Sequence, residues 1–161
     1  MAYAKQPARR PCGVGAPEPR WEGRALVTGQ ARFTGDMKLP GLLCGKLLYA
    51  PHAPATIVRI DVSQALRAEG VAAVMTAADI PGSRFYHYAV PDMPILAIDT
   101  VRYAGEAVAM VAAESEEQAA AALERIVVEY EPLPGTFDPL EAMAEGARQV
   151  QAGRDNVIDH L

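Results

Sequence analysis

The stretch VRYAGEAVAMVAAE, at residues 101–114, decides the fold of this chain. An Arg-Tyr-Ala-Gly-Glu segment leads into a wholly apolar strand, and Ser115 then opens a helix. The stretch therefore predicts a strand that is followed directly by a helix.

The helix after Ser115 has the clearest local signals. Ser115 and Gln118 form a capping box, and Glu116 and Glu117 lie at the positive end of the helix dipole. The apolar residues that recur at helical spacing are Ala119, Ala122, Leu123 and Ile126, and the alanines make part of this face small. Such a face predicts close packing of the helix against a sheet.

Short strand patterns surround this unit. Strands are predicted at residues 42–50, 56–61, 71–75 and 126–131. In the second, Val58 and Ile60 are expected on one face, with Ile57, Arg59 and Asp61 on the other. In the last, Ile126, Val128 and Tyr130 alternate with Val127, Glu129 and Glu131, which indicates a half-buried strand.

Two further helices complete the predicted elements. A short one begins near Asp61 or Ser63, either of which can cap it, and ends before Gly70. Another runs over residues 139–148 with Asp138 as its cap. The pattern predicts an α+β fold, in which two to three helices cover one side of a mixed sheet.

Composition excludes several classes of function. The 161 residues are 50% apolar, which suits one compact domain. With 15 basic and 20 acidic side chains, the formal net charge is −5, so binding to nucleic acid or to an anionic bilayer is not expected. Because no secretory signal or apolar run of about 20 residues is present, a cytoplasmic location without a membrane span is predicted.

Residues 1–20 form a basic, proline-rich lead. This segment contains four basic residues and a single acidic residue, Glu18. The lead is interpreted as a flexible, solvated terminus, and an arm that docks on a partner is the alternative. The two cysteines, Cys12 and Cys44, are too few for a disulfide framework and lack metal-site spacing, so both are predicted to be reduced.

Several motifs, taken in order, resemble the opening of the large subunits of molybdenum hydroxylases. This family includes xanthine dehydrogenase, aldehyde oxidase and carbon monoxide dehydrogenase. The motifs are TGQARFTGD (28–36), LPG (39–41), APH (50–52), TAADIPG (76–82), PILA (94–97), VRYAGEAVA (101–109) and VEYEPLP (128–134). Their order and spacing carry the resemblance, which covers roughly residues 20–156.

The resemblance implies an α/β-hammerhead domain over residues 21–148. In that family the domain precedes two larger domains that hold the molybdopterin cofactor. The complete enzymes hydroxylate an aldehyde or an N-heterocycle with water-derived oxygen and use 2Fe-2S clusters and, in many members, FAD. The family's cofactor-binding glycine-rich segment and catalytic glutamate lie further downstream, so the chain is expected to be a fragment, with residues 149–161 beginning a linker.

No catalytic, cofactor-binding or metal-binding residue is therefore assigned to this chain. Alone, it is expected to bind neither molybdenum nor flavin, to be inactive, and to self-associate through surfaces that other domains normally cover. Expected partners are the remaining molybdopterin-binding domains and the iron-sulfur and FAD portions. A free-standing, non-catalytic interaction module with the hammerhead fold is the alternative.

The loop at residues 80–94 is the most plausible functional segment. It is long for a compact domain and carries four consecutive aromatic or histidine side chains: Phe85, Tyr86, His87 and Tyr88. In relatives, a loop near this place contributes to the channel that leads substrate to molybdenum. The four residues are candidates for the channel wall, and packing against a neighbouring domain is the alternative.

Other polar residues have ordinary structural explanations. His52 is interpreted as a turn residue, because no metal-ligand partner is close to it in sequence. Asp36 and Asp79 are expected to accept hydrogen bonds from backbone donors in tight turns. Glu129 and Glu131 share a strand face and are interpreted as exposed acids.

Overall fold

The computed structural model describes residues 20–86 and 91–157, which fall in two units, Met1–Pro40 and Gly41–Leu161. In the first unit, a short helix α1 (Gly23–Val27) precedes a 3₁₀ turn at Thr34–Asp36. The Asp36 carboxylate accepts a hydrogen bond from the backbone N–H of Phe33 at 2.9 Å. The predicted turn role of Asp36 is confirmed.

The second unit holds the remaining elements of the described residues. Its strands are β1 (Cys44–Tyr49), β2 (Ala55–Asp61), β3 (Val71–Thr76), β4 (Phe85–Tyr86), β5 (Met93–Pro94), β6 (Thr100–Val101), β7 (Ala107–Ala113) and β8 (Val127–Pro132). Its helices are α2 (Ser63–Leu66), α3 (Glu116–Leu123) and α4 (Pro139–Ala142).

β7 is the central strand of the first sheet, in the order β1-β7-β3. Ala109, Val111 and Ala113 are fully buried on the β7 face that packs against Ala119 and Ala122 of α3. The small side chains on both elements allow this close approach, as the sequence predicted. A salt bridge of 2.7 Å between Lys46 of β1 and Glu116 borders the contact.

The opposite face of this sheet is also apolar. Leu47 of β1 pairs with Met110 of β7, which in turn pairs with Met75 of β3. Leu47 is 37% exposed, and Met110 and Met75 are partly buried. An uncovered apolar row therefore crosses all three strands.

The second sheet, β6-β2-β8, adjoins a second core. This core contains Val101 of β6 and Val108 of β7, both fully buried. Ile60 of β2 and Val128 of β8 pack against both cores. These two side chains therefore join the sheets through continuous apolar contact.

The α+β class is confirmed, but the predicted mixed sheet is not what the described residues form. Every strand pair there is antiparallel, and the strands make three small sheets, the third being β4-β5. Parallel pairing requires a long crossover between neighbouring strands. Here the chain instead brings β7 in between β1 and β3, antiparallel to both.

Half of the capping box predicted for α3 forms. Ser115 Oγ accepts a hydrogen bond from the Gln118 N–H at 3.2 Å and so caps the helix, but among the described residues the buried Gln118 Oε1 has no hydrogen-bond partner. Asp61, rather than Ser63, caps α2, because its carboxylate accepts the Ser63 N–H at 3.0 Å. That bond is the main reason why the pKa of Asp61 is lowered.

Two expectations about local structure were wrong. The pairing of β2 with β8 shifts between Ile57 and Arg59, and this bulge leaves Val58 60% exposed. Val58 therefore does not share the buried face of Ile60. Helix α4, capped by Asp138 as predicted, ends after one turn instead of reaching residue 148, and Gly146 with φ of +79° interrupts the chain beyond it.

Replacing Gly70 tests the contact between the α2–β3 turn and α3. A Cβ at Gly70, where φ is +75°, would lie 2.3 Å from the Gln118 side chain. Gly82 has φ of +80° with nothing within 4 Å, so Gly82→Ala reports backbone strain alone. We expect Gly82→Ala to cost about 1–2 kcal/mol of unfolding free energy in chemical denaturation. Gly70→Ala is expected to cost measurably more.

The same measurement with Gly70→Ala in a Gln118→Ala background isolates the clash. The extra cost should disappear there, since the obstructing side chain is gone. If Gly70→Ala and Gly82→Ala lower the unfolding free energy of the parent chain equally, a clash with Gln118 does not contribute to the cost at residue 70.

The pH dependence of stability tests the turn after β3. Asp79 accepts hydrogen bonds from the Thr76 N–H at 2.8 Å and from its hydroxyl at 2.9 Å, confirming its predicted turn role. These bonds lower the pKa of Asp79 from its ordinary value of 3.8. A lowered folded-state pKa contributes stability above the ordinary value and loses it as pH falls through the lowered one.

We expect acid denaturation curves of Asp79→Asn to show a smaller loss of unfolding free energy between about pH 4 and 2. Thr76→Val keeps the backbone donor and removes the hydroxyl, so its pH dependence should be intermediate. An unchanged pH dependence in Asp79→Asn would contradict the assignment.

Candidate functional site

The predicted channel residues begin a two-stranded hairpin. Phe85 pairs with Pro94, and Tyr86 pairs with Met93. The side chain of Ser83 supports the first strand, since its Oγ accepts the Phe85 N–H at 3.2 Å. At the base of the hairpin, the Ile95 N–H donates to the Arg84 carbonyl oxygen at 2.9 Å.

The two described aromatic side chains are accessible to other molecules. Phe85 is 42% exposed and Tyr86 is 54% exposed. His87 and Tyr88 lie outside the described residues. The structure therefore brings together Phe85 and Tyr86 on one short strand, and the predicted channel role of all four residues stays a prediction.

A cleft of about 620 Å³ lies beside the hairpin. Phe85 lines it, together with Asp92 and Pro94, and Tyr86 does not. The remaining lining comes from the chain around β5 and β6 and from the segment after α4: Pro91, Ile98, Asp99, Thr100, Arg102, Arg148, Gln149, Val150, Gln151, Ala152 and Arg154. The cleft thus has an aromatic side and a side rich in arginine.

Glu106 lies beneath this cleft, at the turn between β6 and β7. Among residues 20–86 and 91–157, Glu106 is the only buried polar or charged residue, at 4% exposure. The turn is tight, with Gly105 at φ of +93°. Two backbone hydrogen bonds hold the turn against Ala50, at the end of β1. The Gly105 N–H donates to the Ala50 carbonyl at 2.8 Å, and the Ala50 N–H donates to the Glu106 carbonyl at 2.9 Å.

Arg102 neutralises the buried carboxylate. The Arg102 N–H donates to Glu106 Oε2 at 2.6 Å, and its Nε donates to Oε1 at 3.1 Å. Nη2 also donates to Oε1. The arginine side chain is only 19% exposed. A buried charge is tolerated when it is paired and hydrogen-bonded in this way.

The same guanidinium reaches the hairpin. Arg102 Nη1 donates to the main-chain carbonyl oxygen of Asp92 at 3.2 Å, and Gln151 Nε2 donates to the same oxygen at 3.3 Å. The Asp92 carboxylate forms an ion pair with Arg154 at 3.6 Å. Asp92 immediately precedes β5, so these contacts join the β6–β7 turn to the hairpin.

Reasoning from the sequence missed the pairing of Arg102 with Glu106. Both residues were noticed only as part of a motif. The available signal was a carboxylate at the entrance of a wholly apolar strand, four residues after an arginine and next to a glycine turn. A charge in that position requires a nearby partner of opposite sign.

The described residues contain no group of three or more His, Cys, Asp and Glu side chains arranged to hold a metal ion. The His52 ring is exposed and lies edge-on to Tyr130, with centroids 5.1 Å apart, and burial raises the pKa of Tyr130. In the same part of the chain, no helix has the length and apolarity needed to cross a bilayer.

The arrangement is suited to contact, because the buried carboxylate is committed to Arg102. Aromatic surface and guanidinium groups are good at packing against and orienting a ligand or a neighbouring domain.

Known proteins share this fold and sequence. The family model described as "Aldehyde oxidase and xanthine dehydrogenase, a/b hammerhead domain" matches residues 28–134. The chain is 43% identical over 131 residues to a probable xanthine dehydrogenase subunit from Bacillus subtilis, covering 81% of the chain and 18% of that protein. It is 37% identical over 138 residues to the carbon monoxide dehydrogenase large chain of Afipia carboxidovorans, covering 84% of the chain and 17% of the relative.

A solved structure agrees. The aldehyde oxidoreductase from Desulfovibrio desulfuricans matches with a TM-score of 0.80 and 33% identity, over 89% of this chain and 17% of that one. The chain therefore spans less than a fifth of the length of these relatives. The hammerhead fold predicted from the motifs is confirmed. Because the family model covers well over half of its residues, the chain belongs to the family of aldehyde oxidase and xanthine dehydrogenase hammerhead domains.

Proposed function

We propose that this chain is the N-terminal domain of the large subunit of a molybdenum hydroxylase. The complete enzyme would be an oxidoreductase that hydroxylates an aldehyde or an N-heterocycle with oxygen taken from water. The family match carries this proposal. The similar relatives are named as a probable xanthine dehydrogenase subunit, a carbon monoxide dehydrogenase large chain and an aldehyde oxidoreductase. The chain contributes a scaffold and one wall of the substrate path.

The proposed cofactors belong to the rest of the enzyme. Molybdopterin-bound molybdenum would be held by the remaining domains of the large subunit, and 2Fe-2S clusters and FAD by further domains or subunits. The proposal fits the chemistry of this chain, in which Glu106 is already neutralised by Arg102. We propose residues 21–148 as the domain and 149–161 as the start of a linker. The lead predicted at residues 1–20 lies, except for Arg20, outside the described residues.

A scaffold needs a surface that its neighbours cover. The apolar row of Leu47, Met110 and Met75 on the open face of the first sheet suits such a contact. We propose that other domains of the enzyme pack there, and that the isolated chain self-associates through the same row. A cytoplasmic location is proposed as well, since the free thiol of Cys44 fits a reducing compartment.

The wall of the substrate path is assigned to the β4–β5 hairpin. Phe85 lines the cleft, and both Phe85 and Tyr86 keep large exposed ring surfaces. Exposed aromatic rings on a short, hydrogen-bonded hairpin are able to contact flat aldehydes or heterocycles without first being ordered.

Phe85→Ala and Tyr86→Ala in the complete enzyme test this assignment. We expect KM to change by roughly three- to tenfold, the size expected for an aromatic contact of about 1 kcal/mol. The change should differ between small and bulky substrates, because only bulky ones fill the path. Steady-state kinetics with a series of aldehydes and N-heterocycles provides the measurement.

Tyr49→Ala is the matched control. Tyr49 is 55% exposed, about as much as Tyr86, but lies at the end of β1 and does not line the cleft. Its kinetics should match the unaltered enzyme. Unchanged kinetics for Phe85→Ala and Tyr86→Ala across all substrates would exclude the hairpin from the path.

A further inference from the structure

The β4–β5 hairpin is held at two places that differ in kind. After β5, Leu96 and Ala97 are buried at 5% and 0% exposure, and the Ala97 N–H donates to the Ala107 carbonyl at 2.7 Å. Before β5, Asp92 has no such burial and is held by hydrogen bonds to its main-chain oxygen. The position of the hairpin thus depends on apolar burial on one side and on polar contacts on the other.

We propose that Arg102 and Glu106 form a clamp that positions this hairpin, and through it the wall of the substrate path. The link from the hairpin to the substrate path rests on the proposed function, whereas the positioning of the hairpin does not. Arg102 and Glu106 are positioning residues in this scheme, because they act through Asp92 and touch no reacting group.

The geometry gives Arg102 two separate tasks. Its Nε and Nη2 engage the buried carboxylate, which fixes the plane of the guanidinium. Its Nη1 is then directed at the Asp92 carbonyl oxygen, 3.2 Å away. A planar fork with several donors can do both, whereas a lysine offers one ammonium group at a single point.

Burial makes the clamp rigid. Glu106 is 4% exposed and its own backbone is bonded to Ala50, so the carboxylate cannot follow a moving loop. With its side chain only 19% exposed, Arg102 has little freedom to seek another partner. Displacing the Asp92 carbonyl would leave a guanidinium donor poorly satisfied at a largely buried position.

Arg102→Lys separates the two tasks. The lysine keeps a positive charge for Glu106 but cannot also reach Asp92. We expect hydrogen exchange, followed by mass spectrometry on the complete enzyme, to become at least about tenfold faster in peptides spanning residues 84–95. Peptides from β7 should exchange as in the unaltered enzyme.

Asp92→Ala is the matched control. It removes the carboxylate that pairs with Arg154 but keeps the main-chain oxygen that Arg102 and Gln151 bind. Exchange in the hairpin should stay within about twofold of the unaltered enzyme. If Arg102→Lys also accelerates exchange in β7, the clamp requires a larger factor in the hairpin than in β7, and equal factors overturn it.

Kinetics of Arg102→Lys connect the clamp to the substrate path. We expect KM to rise about threefold or more for bulky substrates while kcat changes less, because a displaced wall weakens binding and leaves the reacting centre intact. Unchanged hairpin exchange in Arg102→Lys overturns the clamp whatever the function of the domain.

Arg102→Lys could accelerate hydrogen exchange in the hairpin and leave the kinetics unchanged. The kinetics of Phe85→Ala then decide between two explanations of that result. If Phe85→Ala alters the kinetics, the hairpin is the wall and the positioning role of Arg102 is overturned. If Phe85→Ala has no effect either, the proposed wall itself is wrong, and the second half of the inference is overturned with it.

Discussion

The burial of the Glu106 carboxylate is the constraint on which this domain depends. A carboxylate removed from water is costly unless a cation and hydrogen-bond donors surround it. Arg102 supplies both, through its backbone N–H and its guanidinium. Because both residues flank the turn that leads from β6 of the second sheet into β7 of the first, the pair connects the two sheets at their junction.

The surrounding architecture explains why that junction matters. β7 contributes Val111 to one core and Val108 to the other, so its start must be held in a fixed register. Ile60 and Val128 contact both cores and continue the connection on the other side. In a domain built this way, polar and apolar contacts together hold the two sheets to each other.

Local signals in the sequence predicted much of the fold. The Ser115 and Asp138 caps, the alternation in β8 and the alanine face of α3 depend on neighbours within a few residues, and all are found. The bulge at Val58 and the short α4 were not predicted, because they depend on the partner strand and on how the chain packs after one helical turn. The open apolar row on β1, β7 and β3 likewise appears only once the register is known.

The aromatic residues singled out the segment at residues 80–94 as a loop, but the pairing of β4 with β5 inside it was not predicted. The channel role of these residues stays a prediction. The clamp beneath the hairpin was missed, since it joins residues 92, 102, 106 and 151 through contacts that no sequence spacing reveals. Motif resemblance gave Arg102 and Glu106 as family features without a physical reason for them.

A double-mutant cycle on Arg102 and Glu106 tests the central claim most directly. Unfolding free energies of Arg102→Ala, Glu106→Ala and the double variant give the coupling between the two side chains. The account predicts that each single variant is strongly destabilised and that the double variant costs about 2 kcal/mol or more less than their sum. Additive effects, within about 0.5 kcal/mol, would contradict it, since the two charges would then be independent.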